Sequence, residues 1–319
     1  MNVRSQRGMA IISALLIAAV VAVIAGAMLT RQTVFTRSLE AEQLRIQGRW
    51  VLQGGLEISR QMLWDARRRD VLTRLDQPWA RPIVGPLAAN MGAAFEGHLV
   101  DEQGKFNLSN LVTHQQADMA QLRSFERLCQ LIGVDPGLSQ RISQRVISSY
   151  DQRLSKPGSS GAGFNSGRET SPGADGDVLP AKRPMLRSLD DLADIDGLGP
   201  RLLQRMASYI SVLPGNTWVN GNTASAEVLS AVVPGLDVSR ARALVAERDG
   251  GRWFINRGDF VNRLRLPQVP MDEVQVGITS EWFRLQGQAR HEQRRVTIDA
   301  LLYRSEDRQP QVIWSRVGA

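Results

Sequence analysis

The sequence predicts an α+β fold: a long N-terminal helix packs on an antiparallel sheet, and a large all-α domain is inserted between the strands of that sheet. An apolar segment near the N-terminus continues as an amphipathic helical pattern to about residue 69. Strand alternation occurs at residues 94–101 and returns only after residue 277. Because the intervening residues have the pattern of short helices and loops, they are predicted to leave and rejoin one sheet.

Residues 9–29 contain no charged side chain, and about 20 apolar residues suffice for a helix to span a bilayer. The eight residues before them, MNVRSQRG, are short, polar and basic. Two kinds of processing remain open. A leader of the prepilin type is cut after Gly8 and leaves the apolar helix on the mature chain, which then begins at Met9. A secretory signal peptide would instead be cut near Ala27 and release a soluble periplasmic protein.

The helical pattern continues beyond the apolar segment. Phe35, Leu39, Ile46 and Trp50 keep near-heptad spacing, with charged and polar residues between them. A helix from Met9 to about residue 69 would be roughly 90 Å long. Glycines 48, 54 and 55 are positions at which it could bend.

Strand periodicity in the C-terminal part predicts three strands, centred on residues 283–289, 296–302 and 312–316. The predicted organisation is therefore a leader at 1–8, a transmembrane helix at 9–29, and a stalk helix with the first strand at 30–113. The inserted helical domain then occupies 114–276 and the remaining strands 277–319.

Composition excludes several classes of protein. One cysteine in 319 residues excludes an intramolecular disulfide framework and a cysteine-based metal cluster. The chain lacks the phosphate-loop, serine-hydrolase and zinc-protease signatures, so it is predicted not to be an enzyme. The formal net charge of +7 raises the question of nucleic acid, but residues 83–319 contribute only +1. Most of the excess, +4 from residues 30–82, is interpreted as membrane-proximal charge.

Two segments resemble helix-hairpin-helix units. In one, Gly197 and Gly199 would form the turn between helices; in the other, the turn lies at Gly235. Such units bind duplex DNA when main-chain N–H groups at the turn hold a phosphate. The alternative function is therefore a membrane-tethered DNA-binding protein of a competence-like system. A helical packing module without nucleic acid is favoured, because residues 201–275 carry a net charge of only +2.

A Gly-, Ser- and Pro-rich stretch at residues 155–180 is predicted to be a loop. Asp151, Asp175 and Asp177 lie at its edges, and Ca²⁺ prefers oxygen ligands of this kind. The spacing does not match an EF-hand, so a solvated loop is favoured on spacing alone, with calcium as the alternative.

These residues together resemble the minor pseudopilin K (GspK) family of bacterial type II secretion systems. The resemblance covers nearly the whole chain. It rests on the leader and apolar helix, Arg49-Trp50, Gly54-Gly55, and the segments 79–82 (WARP), 101–111 (DEQGKFNLSNL), 188–192 (SLDDL) and 222–229 (NTASAEVL).

The resemblance implies a pilin-like helix and sheet, with helix-hairpin-helix or SAM-like units in the inserted domain. It also implies that prepilin peptidase cuts after Gly8 and that the amine of Met9 is methylated. Ser13, fifth in the mature chain, stands where pilin-like subunits usually carry Glu, as expected of a subunit with no neighbour above it.

The partners implied are minor pseudopilins I and J in a tip complex, with the major pseudopilin as a further candidate. The location implied is the inner membrane, crossed once, with the C-terminal part in the periplasm. The family's acidic calcium loop corresponds here to residues around Asp151 and Asp175, with several carboxylates replaced.

Overall fold

The structure, a computed structural model, describes residues 3–88, 93–153, 178–291 and 294–318. The α-helices are α1 (Val3–Arg69), α2 (Met119–Leu131), α3 (Pro136–Ile147), α4 (Pro200–Met206), α5 (Ala226–Val232), α6 (Val238–Asp249) and α7 (Arg257–Leu264). The longer strands are β1 (Ile83–Ala88), β2 (Ala93–Asp101), β11 (Trp282–His291), β12 (Arg294–Tyr303) and β13 (Gln311–Gly318). The two-residue strands are β3 (Phe106–Asn107), β4 (Val112–Thr113), β5 (Gln116–Ala117), β6 (Gln152–Arg153), β7 (Val178–Leu179), β8 (Ile210–Ser211), β9 (Val219–Asn220) and β10 (Val276–Gly277).

The five longer strands form one antiparallel sheet in the order β1-β2-β11-β12-β13. Two of them precede the helices α2–α7 in the chain and three follow them. The predicted strands at 94–101 and in the C-terminal part are confirmed as β2, β11, β12 and β13. β1 was missed because its sequence, IVGPLA, contains Gly and Pro, which are depleted in strands. The expectation that residues 114–276 contain only helices and loops is wrong at the two-residue strands, several of which lie in this region.

α1 extends to Arg69 as predicted and continues through Gly48 and Gly55 without interruption. From Val51 onward its buried side chains, among them Leu56 and Leu63, pack on one face of the sheet. Gly48 and Gly55 allow the helix to approach the sheet closely, since Val296 lies against the first and Phe95 against the second.

Phe95 of β2 shows how close this approach is. Its ring is fully buried between Gly55 of α1, Gly97 of β2 and Gly287 of β11. A Cβ atom at any of the three glycines would lie within 2.4–2.7 Å of the ring, closer than van der Waals contact permits. These glycines therefore form a socket for one aromatic side chain, and the socket fixes the position of α1 on the sheet.

The residues between β2 and β11 have a second hydrophobic core, built mainly by α2–α7. Its largest side chains include Phe106, Phe125, Phe254 and Phe260, all fully buried. The rings of Phe254 and Phe260 meet edge to face with centroids 4.9 Å apart. The described residues thus form two separate cores.

The two cores meet at Asp101, the last residue of β2. Its Oδ2 accepts hydrogen bonds from Ser280 Oγ at 2.6 Å, Thr223 Oγ1 at 2.6 Å and Asn220 Nδ2 at 3.1 Å. Its Oδ1 accepts one from the Gln103 N–H at 2.9 Å. Burial raises the pKa of Asp101, and these four hydrogen bonds act in the opposite direction by stabilising the carboxylate.

Arg304, which follows β12, extends this network. Its Nη2 donates to Thr73 Oγ1 and to the Ser280 carbonyl, both at 2.7 Å, and its guanidinium lies 4.6 Å from the centroid of the Phe283 ring. Burial lowers the pKa of Arg304 to about 10, and the nearby negative charge of Asp101 opposes this shift. Within the described residues, its Nε and Nη1 have no hydrogen-bond partner. The buried charges therefore connect the segment after α1, the sheet and the helical part.

We predict that Gly55→Ala destabilises the protein. The added methyl group overlaps a fully buried aromatic ring, which costs about 1–3 kcal/mol. This exceeds the gain of about 1 kcal/mol that alanine has over glycine in a helix. Thermal unfolding of the full-length protein in detergent should show a lower midpoint. Gly26→Ala is the matched control, since it lies in the same helix with nothing within 4 Å of the added atom. An equal rise in the midpoint of both variants would contradict the prediction.

Candidate assembly surface

The N-terminal part of α1 is long and apolar enough to cross a membrane. By length and composition the candidate span is Ala14–Thr36, none of which is buried within the chain. It overlaps the predicted segment 9–29 and begins and ends a few residues later. At 1.5 Å per residue, 23 residues extend over about 35 Å, which covers a hydrocarbon core of about 30 Å.

The candidate processing residues Gly8 and Met9 and the candidate assembly residue Ser13 all belong to α1. The positions of the Met9 and Ser13 side chains fall outside the described part of the structure. Their predicted roles stay predictions.

At the end of the apolar segment and beyond it, α1 carries a line of exposed apolar side chains, here called the α1 stripe: Phe35, Leu39, Ile46 and Trp50. Trp50 is 67% exposed, whereas the next residue, Val51, is 2% exposed. At about 100° per residue, the stripe covers an arc of about 60° and is centred about 140° from the buried face of the helix. One helix therefore has two apolar faces, and its own sheet covers only one of them.

Two arginines of α1 show on which side of the helix β13 lies. Arg60 Nε donates to the carbonyl of Pro310, just before β13, at 2.7 Å, and Arg67 pairs with Glu306 at 2.6 Å. By the same helical geometry, the α1 stripe is centred about 50° round the helix from Arg60. The stripe is thus turned toward the β13 side of the sheet.

The same geometry corrects the interpretation of the basic excess. Six of the ten arginines in residues 30–82 lie at or beyond Arg60. The end of α1 at Arg69 is about 50 Å along the helix from Thr36, the end of the apolar segment. Since these six arginines are accompanied by three of the six acidic residues, the part of α1 before Arg60 contributes only +1 of the +4, and most of the excess is not membrane-proximal.

Of the three candidate calcium ligands, the structure describes only Asp151; Asp175 and Asp177 lie outside the described residues. The Asp151 side chain is exposed, and its Oδ1 accepts a hydrogen bond from the Ala181 N–H at 2.9 Å. β6 and β7 pair beside it and hold the two ends of the loop together. In the described residues no group of three or more His, Cys, Asp or Glu could hold a metal ion.

The helical hairpins differ from the prediction. Gly235 has a φ of 75° between α5 and α6, as expected of a hairpin turn, and Gly133, with a φ of 70°, makes a similar turn between α2 and α3 that was not predicted. The unit predicted at Gly197 lacks a first α-helix, because the preceding element is the 3-10 helix Leu189–Leu192.

The helices that follow these turns are capped by carboxylates. Asp135 accepts from the Leu138 N–H at 3.0 Å, and Asp237 accepts from the Arg240 N–H at 2.9 Å. In each case a negative charge occupies the helix N-terminus that a phosphate would need. The arrangement does not favour DNA binding.

Sequence patterns did not reveal all the residues that position this surface. Gly97 and Gly287 are glycines inside strands, which is a recognised signal of close backbone approach. Asp101 gave no such signal, because its donors Asn220, Thr223 and Ser280 are more than 100 residues away in the chain.

Comparison with known proteins identifies the family. Two family models with the description "Type II secretion system (T2SS), protein K" match residues 104–215 and 219–279, together more than half of the chain. Protein K of the type II secretion system of Pseudomonas aeruginosa is 26% identical over 324 aligned positions, which cover 99% of this chain and 94% of the relative. The protein of the same description from Klebsiella pneumoniae is 27% identical over 262 positions, covering 78% and 77%.

A solved structure has the same fold. It belongs to the crystal structure of the GspK-GspI-GspJ complex from the type 2 secretion system of enterotoxigenic Escherichia coli. It aligns with a TM-score of 0.67 at 17% identity and covers 88% of this chain and 99% of the matched one. The comparisons give no support to the DNA-binding alternative. The chain belongs to the type II secretion system protein K family, and it is a minor pseudopilin.

Proposed function

We propose that this minor pseudopilin caps and initiates the tip of the periplasmic pseudopilus together with minor pseudopilins I and J, and so supports the export of folded proteins across the outer membrane. The observation that carries the proposal is the α1 stripe. It is an apolar face of a helix that continues out of the apolar segment, and its members Leu39, Ile46 and Trp50 are exposed. The solved relative comes from a complex with GspI and GspJ, which supports these two partners.

In this arrangement, prepilin peptidase cuts after Gly8, the amine of Met9 is methylated, and the apolar helix anchors the chain once in the inner membrane. The remainder, including the pilin-like sheet and the inserted helical domain, lies in the periplasm. The candidate span Ala14–Thr36 supports the anchor.

Ser13 supports the position at the tip. A carboxylate that is unpaired in the middle of a bilayer costs at least about 2.5–3.5 kcal/mol. A subunit with no neighbour above it has no terminal amine to pair with such a group, and serine avoids that cost. The major pseudopilin would lie below this subunit as a further partner.

The proposal includes a calcium site at the loop that begins after Asp151. What supports it is the β6–β7 pairing, which closes the loop beside an exposed carboxylate, and the oxygen-rich composition that Ca²⁺ prefers. Asp151, Asp175 and Asp177 would supply the carboxylate oxygens, and when bound the ion would stabilise the loop.

We predict that Gly8→Ala leaves the precursor uncleaved and abolishes secretion, because the peptidase recognises the residue before the cut. Immunoblotting for the size of the membrane-bound protein and N-terminal sequencing of the wild-type mature chain check this. The wild-type sequence should begin at Met9. Normal processing and secretion in the variant, or a mature chain beginning at Met28, would contradict the prediction.

We predict that Trp50→Ala and Ile46→Ala weaken assembly with minor pseudopilins I and J. Loss of a large apolar anchor from an interface costs about 2 kcal/mol, or roughly a 30-fold change in affinity. Stability should be unchanged, since both side chains are exposed. Co-purification of the full-length proteins in detergent measures the effect. Ile255→Ala removes an isoleucine of the helical part that is 64% exposed, against 46% for Ile46, and is the matched control. An equal loss in the control would argue against the stripe.

We predict that Ca²⁺ raises the thermal midpoint of the full-length protein by a few degrees and that a chelator reverses this, because a ligand bound only by the folded state stabilises it. Asp151→Asn should abolish the shift while keeping the acceptor for the Ala181 N–H. Asp307→Asn, on another loop, serves as the control. A midpoint that does not respond to Ca²⁺ in the wild-type protein would exclude the site.

A further inference from the structure

The two edges of the five-stranded sheet differ in their capacity to accept another strand. β1 contains Pro86, which has no N–H to donate, and its pairing with β2 is irregular between Gly85 and Ala88. β13 contains no proline and, among the residues that the structure describes, pairs only with β12. Both β1 features are common means of blocking an edge, and β13 lacks them.

β13 is also long, exposed and apolar. Seven of its eight residues are exposed, including Val312, Ile313 and Val317, which are 37%, 42% and 48% exposed. An extended edge of this kind is a template for pairing with a further strand.

The α1 stripe indicates what lies beside this edge. The stripe is turned toward the β13 side of the sheet, as the contact between Arg60 and Pro310 shows. A neighbouring subunit whose N-terminal helix packs on the stripe would therefore carry its globular part alongside β13.

The charged side chains near β13 already have partners within the chain. Arg316 pairs with Asp190 at 2.7 Å, and Arg308 pairs with Asp307 at 3.7 Å. The groups that this edge presents to a partner are therefore mainly main-chain groups and apolar side chains, rather than a net charge of either sign.

We propose that β13 is the lateral docking edge for a neighbouring pilin-like subunit, which adds an extended segment to it as a sixth strand and covers Val312, Ile313 and Val317. This inference rests on the proposed function, because the α1 stripe determines on which side the neighbour lies. The occupant we propose is a different pseudopilin and not a second copy of this chain, because the solved relative comes from a complex of GspK with two different proteins, GspI and GspJ.

Site-specific cross-linking tests the position of the edge. The single native cysteine, Cys129, is 1% exposed and burial raises the pKa of its thiol to about 12, so it is unreactive. Val317→Cys places a thiol on β13, and Val84→Cys, also an exposed valine, places one on β1. In full-length protein assembled with minor pseudopilins I and J, we expect the cysteine at 317 to cross-link to one of them at least ten times more than the cysteine at 84.

Hydrogen exchange tests the main-chain pairing. On assembly, amide exchange in residues 311–318 should slow at least tenfold, whereas exchange in residues 83–88 should be unchanged. Ile313→Lys should reduce the amount of complex about tenfold, and Val84→Lys should leave it unchanged.

The outcomes separate this inference from the function on which it rests. If the wild-type complex forms and Trp50→Ala weakens it, while residues 311–318 stay unprotected and the cysteine at 317 does not cross-link, the docking edge is wrong and the tip function stands. Cross-links between two copies of this chain, or equal cross-linking from positions 84 and 317, also overturn the docking edge. Failure of the wild-type chain to bind either partner overturns both.

Discussion

The buried carboxylate of Asp101 is the interaction on which the arrangement of the two cores depends. It ends β2, and its hydrogen-bond donors come from the residues that precede β11 and from the segment around Asn220. A buried charge is costly unless it is surrounded by donors. The hydrogen bonds that satisfy it therefore require both halves of the chain to be in place, and Arg304 adds Thr73, just after α1, to the same network.

α1 combines two roles that are usually divided between elements. Its sheet-facing side has glycine at the points of closest approach, so that Phe95 can lie against the helix backbone. Its other side exposes Ile46 and Trp50 in a region where the helix leaves its own globular part. Glycines thus determine the closest contact with the sheet, and large apolar side chains lie on the side that faces away from it.

The sequence was sufficient to predict the length of α1, four of the five strands and the largely helical character of the residues between them, because these follow local periodicities. β1 could not be predicted in this way, since Pro86 and Gly85 remove its pattern and only pairing with β2 makes it a strand. The Asp101 network depends on contacts between residues far apart in the chain, which periodicity does not contain. The α1 stripe was visible as near-heptad spacing, but the sequence alone could not distinguish the residues that face the sheet from those that face outward.

The continuity of α1 has a mechanical consequence. From the apolar segment to Arg69 the helix is uninterrupted, and from Val51 onward it is packed against the sheet. Any reorientation of the membrane segment therefore also reorients the globular part that is packed on the other end of the helix. With an arm of about 50 Å, a tilt of about 10° would displace the distal end of the helix by about 9 Å. Axial force applied in the bilayer would likewise move the helix and the sheet as one unit.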